Sequence, residues 1–150
     1  MDDPEKPWTL TVSLTERIAF QLRRAQDVSF NAFAHRTDQS DLGPGQFAML
    51  TIISENSGIN QTLLSQVTGR DKSSITPALK RLEKQGYIKR ERSSTDGRAI
   101  LLSITETGQR SLAKLAEHAR AHDAELDRIV GEAHKPLLLY LLDRIVIEMN

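Results

Sequence analysis

Positively charged side chains are concentrated in one segment of the 150-residue chain. Residues 70–98 contain nine Lys and Arg against four Asp and Glu, whereas the whole chain has 20 of each kind. This segment therefore carries a net charge of +5 in a protein that is neutral overall. A basic segment of this kind can bind a polyanion locally. Charge alone is equally typical of a solvated surface without a partner.

Within this segment, the spacing of apolar residues predicts a helix with one buried face. Ile75, Leu79 and Leu82 recur at helical spacing, and Gly86 ends the pattern. The opposite face carries small or basic side chains, which can contact base edges or phosphate groups. These candidate contacts are Ser73, Ser74, Thr76, Pro77, Lys80, Arg81 and Lys84. The helix starts at Asp71 or Ser73, so Ser73 can equally serve as a helix-capping residue.

A β-hairpin is predicted directly after this helix. Residues 87–92 and 99–104 have strand-like composition, and the turn-rich residues 93–97 separate them. Basic side chains lie on the strands or at the tip, where an arginine can enter the minor groove of DNA, which is strongly negative over A·T tracts. They are Arg90, Arg92 and Arg98. Alternatively, these charges only protect an exposed sheet edge from pairing with another strand.

A second short helix precedes the basic helix. Asn60 can cap it, and Gly69 closes it at a tight turn. Two short helices followed by a hairpin make a winged helix-turn-helix, in which the second helix enters the major groove of double-stranded DNA. The predicted fold class is therefore mainly α with a small β-hairpin wing.

Longer helices are predicted on both sides of this unit. Ser13 and Glu16 form a capping box at the start of a first helix that runs to about residue 35. Pro44 suits the first turn of a second helix. Thr105 begins a fifth helix that runs to about residue 130, and a sixth covers about residues 136–149.

The sixth helix is apolar on more than one face, which requires burial on several sides. A terminal helix has few neighbours within its own chain, so we expect a homodimer; deep burial within one subunit is the alternative. A twofold dimer would present two recognition helices to two half-sites. The predicted division is an N-terminal arm at 1–12, a DNA-binding domain at 41–104, and a helical dimerisation region at 13–40 and 105–150.

The chain lacks the residues that several classes of function need. The chain has no Cys, which excludes thiol catalysis, disulfide bonds and Cys-ligated zinc. It has no Gly-rich phosphate loop, no His-Glu-x-x-His and no nucleophile elbow, so we expect neither an enzyme nor a cofactor. No apolar stretch is long enough to span a membrane, and the N-terminus lacks the apolar core of a secretory signal. We therefore expect a cytoplasmic protein without a membrane partner.

Residues 42–110 resemble the winged-helix core of the MarR family of bacterial transcriptional regulators. The resemblance is carried by residues 61–65, by residues 74–88, by Arg90, by the wing motif Asp96-Gly97-Arg98 and by residues 102–108. It implies a homodimer with the basic helix, the fourth of the predicted helices, in the major groove and the wing in the minor groove. In this family the Asp of the wing motif braces the wing and the Arg contacts DNA, which assigns these roles to Asp96 and Arg98.

A small-molecule effector is also implied by the resemblance, since the effector pocket of such regulators usually lies where the dimer helices meet the winged domain. An aromatic acid or its thioester is a common effector class in similar proteins. The candidate lining residues are Phe30, Phe33, His35 and Phe47. The phenylalanines fit equally well as ordinary core residues.

A metal site is the weaker alternative. His118 and His122 stand one helical turn apart and could share a metal ion, as in some zinc-sensing members of the family. Those sensors also use a ligand early in the second helix, where this chain has Gln46 and Phe47. A packed histidine is the simpler interpretation of His122.

The sequence thus predicts a dimeric, ligand-responsive repressor that binds a palindromic operator and is released by a small effector. The alternatives are a zinc-responsive regulator of the same fold and a winged-helix protein-interaction module. An interaction surface more often carries aromatic anchors than the Ser, Thr, Lys and Arg found here.

Overall fold

The computed structural model describes residues 12–37 and 42–149. Over these ranges the chain forms seven helices and three short strands, which confirms a mainly helical fold with a small antiparallel sheet. The elements are α1 (Val12–Thr15), α2 (Ile18–Arg36), α3 (Pro44–Glu55), β1 (Ile59–Asn60), α4 (Gln61–Thr68), α5 (Lys72–Lys84), β2 (Ile88–Arg92), β3 (Ile100–Ile104), α6 (Glu106–Val130) and α7 (Lys135–Met149).

Most helices begin where local capping chemistry predicts. Pro44 occupies the first turn of α3. The side chains of Asn60, Asp71 and Thr105 each accept a hydrogen bond from a backbone N–H in the first turn of α4, α5 and α6, at 2.9, 2.8 and 3.0 Å respectively. Each cap satisfies a donor that the helix itself leaves free.

The start of the chain differs from the prediction of one continuous first helix. Ser13 lies inside the short α1, and α2 begins at Ile18 after Arg17, which makes no side-chain cap. Arg17 is extended, and Gln21 donates to the backbone carbonyl of Thr15 at 2.6 Å. The capping-box prediction at Ser13 is therefore wrong, because the helix is interrupted after one turn. Apart from Val12, the predicted N-terminal arm lies outside the described residues.

Most of the core lies within residues 42–104, the described part of the predicted DNA-binding domain, which we call the winged-helix region. The side chains with the least exposure come from α3, α4, α5, β3 and a position two residues before α3, and they belong to one cluster: Leu42, Met49, Leu50, Ile53, Leu64, Ile75, Leu79, Leu82 and Leu102. Burial of one face of α5 in this cluster fixes the opposite face towards solvent.

The sheet has one more strand than the two of the predicted hairpin. In the three-stranded antiparallel sheet β3 lies between β1 and β2, with Ile88 opposite Ile104 and Ile59 opposite Leu102. Strand β1 has two residues, too few for the alternating pattern that signals a strand.

The base of the wing is packed closely against the start of α6. A Cβ atom at Gly108 would clash with the Tyr87 carbonyl oxygen, so only glycine fits at this position. The Thr105 hydroxyl donates to the Gly86 carbonyl at 2.5 Å. The wing is therefore attached to α6 as well as to α5.

The last helix packs unlike the rest of the molecule. None of the residues of α7 is buried. Its large apolar side chains that remain exposed are Leu137, Leu138, Leu139, Tyr140, Leu141, Val146, Ile147 and Met149. In the parts of the chain that the structure describes, no helix combines the length and apolar character needed to cross a membrane.

Candidate nucleic-acid interface

Helix α5 presents a polar and basic face directly opposite its buried face. Ile75, Leu79 and Leu82 have no exposed surface. Five of the predicted contact residues are exposed: Ser73, Pro77, Lys80, Arg81 and Lys84. Ser74 and Thr76 are half-buried on the flanks. The structure thus brings all seven predicted residues of this helix to one surface.

The start of α5 is organised by Asp71. Its carboxylate accepts from the Ser73 hydroxyl at 2.5 Å and from the Ser74 N–H at 2.8 Å, and its carbonyl accepts from the Ser74 hydroxyl at 3.1 Å. The hydrogen bond from the Ser73 hydroxyl, followed by that from the Ser74 N–H, lowers the pKa of the Asp71 carboxyl below its ordinary value. A negative charge at this end of the helix also complements the helix dipole.

Three cations on α5 are free to meet phosphate groups. Among the described residues, no carboxylate lies within ion-pair distance of Lys80, Arg81 or Lys84. Lys80 and Lys84 lie one turn apart on the outermost face, whereas Arg81 is turned towards α2 and α3. The three side chains therefore point in two different directions from the helix axis.

The wing tip is held by Asp96. Its carboxylate accepts from the Arg98 N–H at 3.1 Å, its own N–H donates to the Ser93 hydroxyl at 3.0 Å, and its carbonyl accepts from the Ala99 N–H at 2.9 Å. The side chains of Arg92 and Arg98 are exposed. A fixed tip with free arginines is the arrangement that minor-groove insertion requires.

Arg90 differs from the other two arginines of the hairpin. Its side chain is 17% exposed and pairs with Glu83 of α5 at 3.6 Å. It therefore connects the wing to the recognition helix and does not face the solvent.

Behind α5 lies a cavity of about 580 Å³ between α2, α3, α4 and α6. Three of the predicted effector-contacting residues, Phe30, Phe33 and Phe47, line it. The Phe33 ring centroid lies 5.9 Å from that of Phe47 and 5.6 Å from that of His122. His35 is not among the lining residues and is exposed. Two residues beyond Phe33, a helix has turned by about 200°, so His35 points away from the cavity.

His122 is packed within its own subunit. Its Nε2 lies 2.9 Å from the Ser29 hydroxyl of α2, and its buried Nδ1 has no hydrogen-bond partner. His118 is exposed. Among the described residues, no three His, Cys, Asp or Glu side chains are grouped closely enough to hold a metal ion. This geometry favours a packed histidine.

Sequence reasoning missed Arg70, which stands in the turn between α4 and α5. The Arg70 N–H donates to the Ser65 carbonyl at 3.2 Å, and the Ser65 hydroxyl donates to the Arg70 carbonyl. The side chain lines the cavity and also a smaller groove of about 330 Å³ that shares Phe30 and Gly45 with it. Pro77 and Arg81 of α5 line this second groove. An occupant of both spaces would therefore touch the recognition helix.

Comparisons with known proteins agree with this geometry. The model of the MarR family matches residues 42–100. A protein of Thauera aromatica described as a transcriptional regulatory protein for the hcr operon is 32% identical over 134 residues, which cover 89% of this chain and 81% of the relative. The transcriptional repressor CouR bound to a 23-mer DNA duplex is 31% identical, with a TM-score of 0.79 over 92% of this chain and 99% of that one. CouR bound to p-coumaroyl-CoA is 29% identical, with a TM-score of 0.79 over 91% and 96% of the two chains.

Proposed function

Since the chain belongs to the MarR family of transcriptional regulators, we propose that it is a dimeric repressor that binds a palindromic operator and leaves it when a small effector binds. The chain is a regulator and not an enzyme, as its family and relatives are. The alternative of a winged-helix module without a DNA function does not fit these relatives. A repressor acts at the chromosome, so we place it in the bacterial cytoplasm.

The observation that carries the proposal is the exposed basic face of α5 beside a braced wing. Lys80 and Lys84 are free to contact phosphates, while Arg98 at the wing tip is free to enter the minor groove. CouR, whose fold this chain shares, has been observed on a DNA duplex. We assign DNA contact to the predicted residues of α5 and to Arg92 and Arg98, and wing bracing to Asp96.

The proposal of a homodimer is supported by α7. Ile147 is 67% exposed and Leu139 is 55% exposed, although both are large apolar residues. A run of such side chains on one helix marks a protein–protein contact. A second copy of α7 offers the same apolar surface, and a twofold axis makes it self-complementary.

We propose that the effector is an aromatic acid or an acyl thioester of one. The cavity offers the rings of Phe30, Phe33 and Phe47 to an aromatic group. CouR has been observed with p-coumaroyl-CoA, an aromatic acyl thioester. The Arg70 side chain lies where the cavity meets the second groove, so it is placed to pair with an anionic part of such a molecule.

The proposal is tested by selecting genomic DNA fragments with the purified protein and measuring affinity for the enriched sequence. We expect a palindrome bound far more tightly than scrambled DNA, and release by a member of a panel of aromatic acids and their CoA thioesters. Equal affinity for the enriched and scrambled duplexes would contradict DNA-sequence recognition. Unchanged binding with the whole panel would contradict the effector class.

A further inference from the structure

The hydroxyl group of Thr76 is engaged within the protein. Its Oγ1 donates to the Lys72 carbonyl at 2.7 Å and accepts from the Gln61 Nε2 at 2.6 Å. A threonine hydroxyl has a single proton, so Thr76 cannot donate to a base without breaking the bond to Lys72. What remains for an outside partner is the methyl group and one oxygen lone pair, so Thr76 can still accept a hydrogen bond but cannot donate one.

The residues next to Thr76 on α5 also have no free hydroxyl donor. The hydroxyl protons of Ser73 and Ser74 are used by the carboxylate and the carbonyl of Asp71. Pro77 is exposed and offers an apolar ring with no donor. The exposed surface of the first two turns of α5 is therefore poor in free hydroxyl donors, and the exposed Pro77 ring follows the half-buried Thr76 on it.

On the assumption that α5 enters the major groove, as the proposed function requires, we propose that Thr76 and Pro77 recognise a thymine through its 5-methyl group. In the major groove thymine alone carries a methyl group, and apolar side chains discriminate it by contact. Binding of guanine O6 or of a purine N7 by the Thr76 hydroxyl would instead require a donor that the protein already uses.

Gln61 is the positioning residue for this contact. It is the first residue of α4, directly after the capping residue Asn60, and is half-buried. Its amide reaches across to α5 and holds the Thr76 hydroxyl on the side of α4. The rotamer of Thr76 is thereby set by the packing of the two helices against each other.

The test uses the full-length protein and the operator enriched from its genome, with each thymine of a half-site replaced in turn by deoxyuridine. This replacement removes only the methyl group. We expect one position, or two adjacent ones, at which affinity falls about fourfold, the effect of losing one buried methyl-sized group. Thr76→Ser keeps the hydroxyl and removes only the methyl group, so the thymine-to-uracil ratio of affinities at that position should fall, and the discrimination that remains is due to Pro77. Thr76→Val keeps a methyl group and should still discriminate between the thymine and uracil duplexes.

Gln61→Ala should reduce the thymine-to-uracil ratio, because one of the two hydrogen bonds that hold the Thr76 hydroxyl is lost. Gln66→Ala, at an exposed position of the same helix, should leave the ratio unchanged. Each ratio compares two duplexes with one protein preparation, so a partial loss of folded protein does not alter it.

Two failures can be told apart. If the wild-type protein binds no operator, the proposed function and this inference both fail. If it binds the operator tightly and no deoxyuridine substitution weakens binding, or if the thymine-to-uracil ratio of Thr76→Ser equals that of the wild type, this inference alone is overturned.

Discussion

The winged-helix region and α7 use their apolar residues in opposite ways. Among the described residues, every large side chain with less than 2% exposure lies between Leu42 and Leu102. In α7 no residue is buried, and Met149 is 83% exposed. The winged-helix region thus completes its own core within one chain, whereas α7 has apolar surface that one chain does not cover.

This contrast separates two tasks of the molecule. The geometry of one recognition helix and its wing is set inside the subunit, by the buried face of α5 and by contacts such as Glu83–Arg90. In our proposal, the distance between two such helices is set by the association of α7 with its copy. The cavity lies at the junction of α2 and α6 with the winged-helix region, since α2 and α6 form one side and α3 and α4 the other. A ligand there is well placed to change how these two long helices are joined to the winged-helix region.

The largest effect is expected when a charge is placed on α7. Leu139→Glu combined with Ile147→Glu should give monomers in sedimentation measurements, because a charge is costly in an apolar interface. Affinity for the palindrome should fall by roughly 100-fold or more, since bivalent binding is lost. Ala113→Glu adds a charge at an exposed site of α6 and should change neither property. Dimers of unchanged stability in the double variant would show that α7 is not the interface.

A smaller effect is expected at the wing. Arg98→Ala should weaken operator binding by about 10- to 100-fold, the effect of losing an arginine that reads the groove, and the loss should be greatest for A·T-rich flanks. Asp96→Ala should have a smaller effect, because it loosens the tip and leaves the Arg98 side chain in place. Lys114→Ala removes an exposed charge from α6 and is the control. Unchanged affinity of Arg98→Ala at moderate salt would remove the wing from the DNA interface.

The junction is tested through Arg70. Arg70→Gln should reduce the potency of an effective CoA thioester by roughly tenfold, the effect of removing one charge-assisted hydrogen bond. It should leave the potency of the corresponding free acid nearly unchanged if the acid occupies only the aromatic cavity. Arg120→Gln, at an exposed position of α6 that does not line the cavity, is the matched control. Equal loss of potency for both effectors would place the anionic group elsewhere.

The smallest effect is expected for a single phosphate contact. Lys84 lies in the last turn of α5, which in our proposal is farther from base edges than Thr76 or Pro77. Lys84→Ala should weaken binding to all sequences alike, and it should reduce the slope of log affinity against log salt by about 1 for each phosphate that the lysine neutralised, because fewer counterions are released. A changed base preference with an unchanged slope would mean that α5 is rotated differently in the groove.

Local chemistry made much of the fold predictable. Helices begin after Asn60, Asp71 and Thr105 because each capping side chain accepts a hydrogen bond from a backbone N–H only three residues away. The hairpin and the buried face of α5 follow from short periodic patterns. The break before Ile18 escaped prediction, because it depends on how α1 and α2 meet.

The sequence predicted which residue types form the candidate site better than it predicted how their side chains are oriented. The Thr76–Gln61 bond and the Arg90–Glu83 pair join residues from different elements, so no spacing within one helix or strand indicates them. His35 was grouped with Phe33 by proximity in the chain, although the helix turns the two side chains in different directions. Arg70 was counted only as a charge, since its place at the cavity depends on the folding of α4 against α3 and α6.

The central claim is that two subunits place two preformed recognition surfaces on one palindrome. The most direct test is the mass of the complex formed between the purified protein and the enriched palindromic duplex, measured with the duplex in slight excess. We predict two chains per duplex, and none of the one-chain complex at protein concentrations near half-saturation. A stable complex of one chain per duplex, formed with the same affinity on a single half-site as on the palindrome, would contradict this claim.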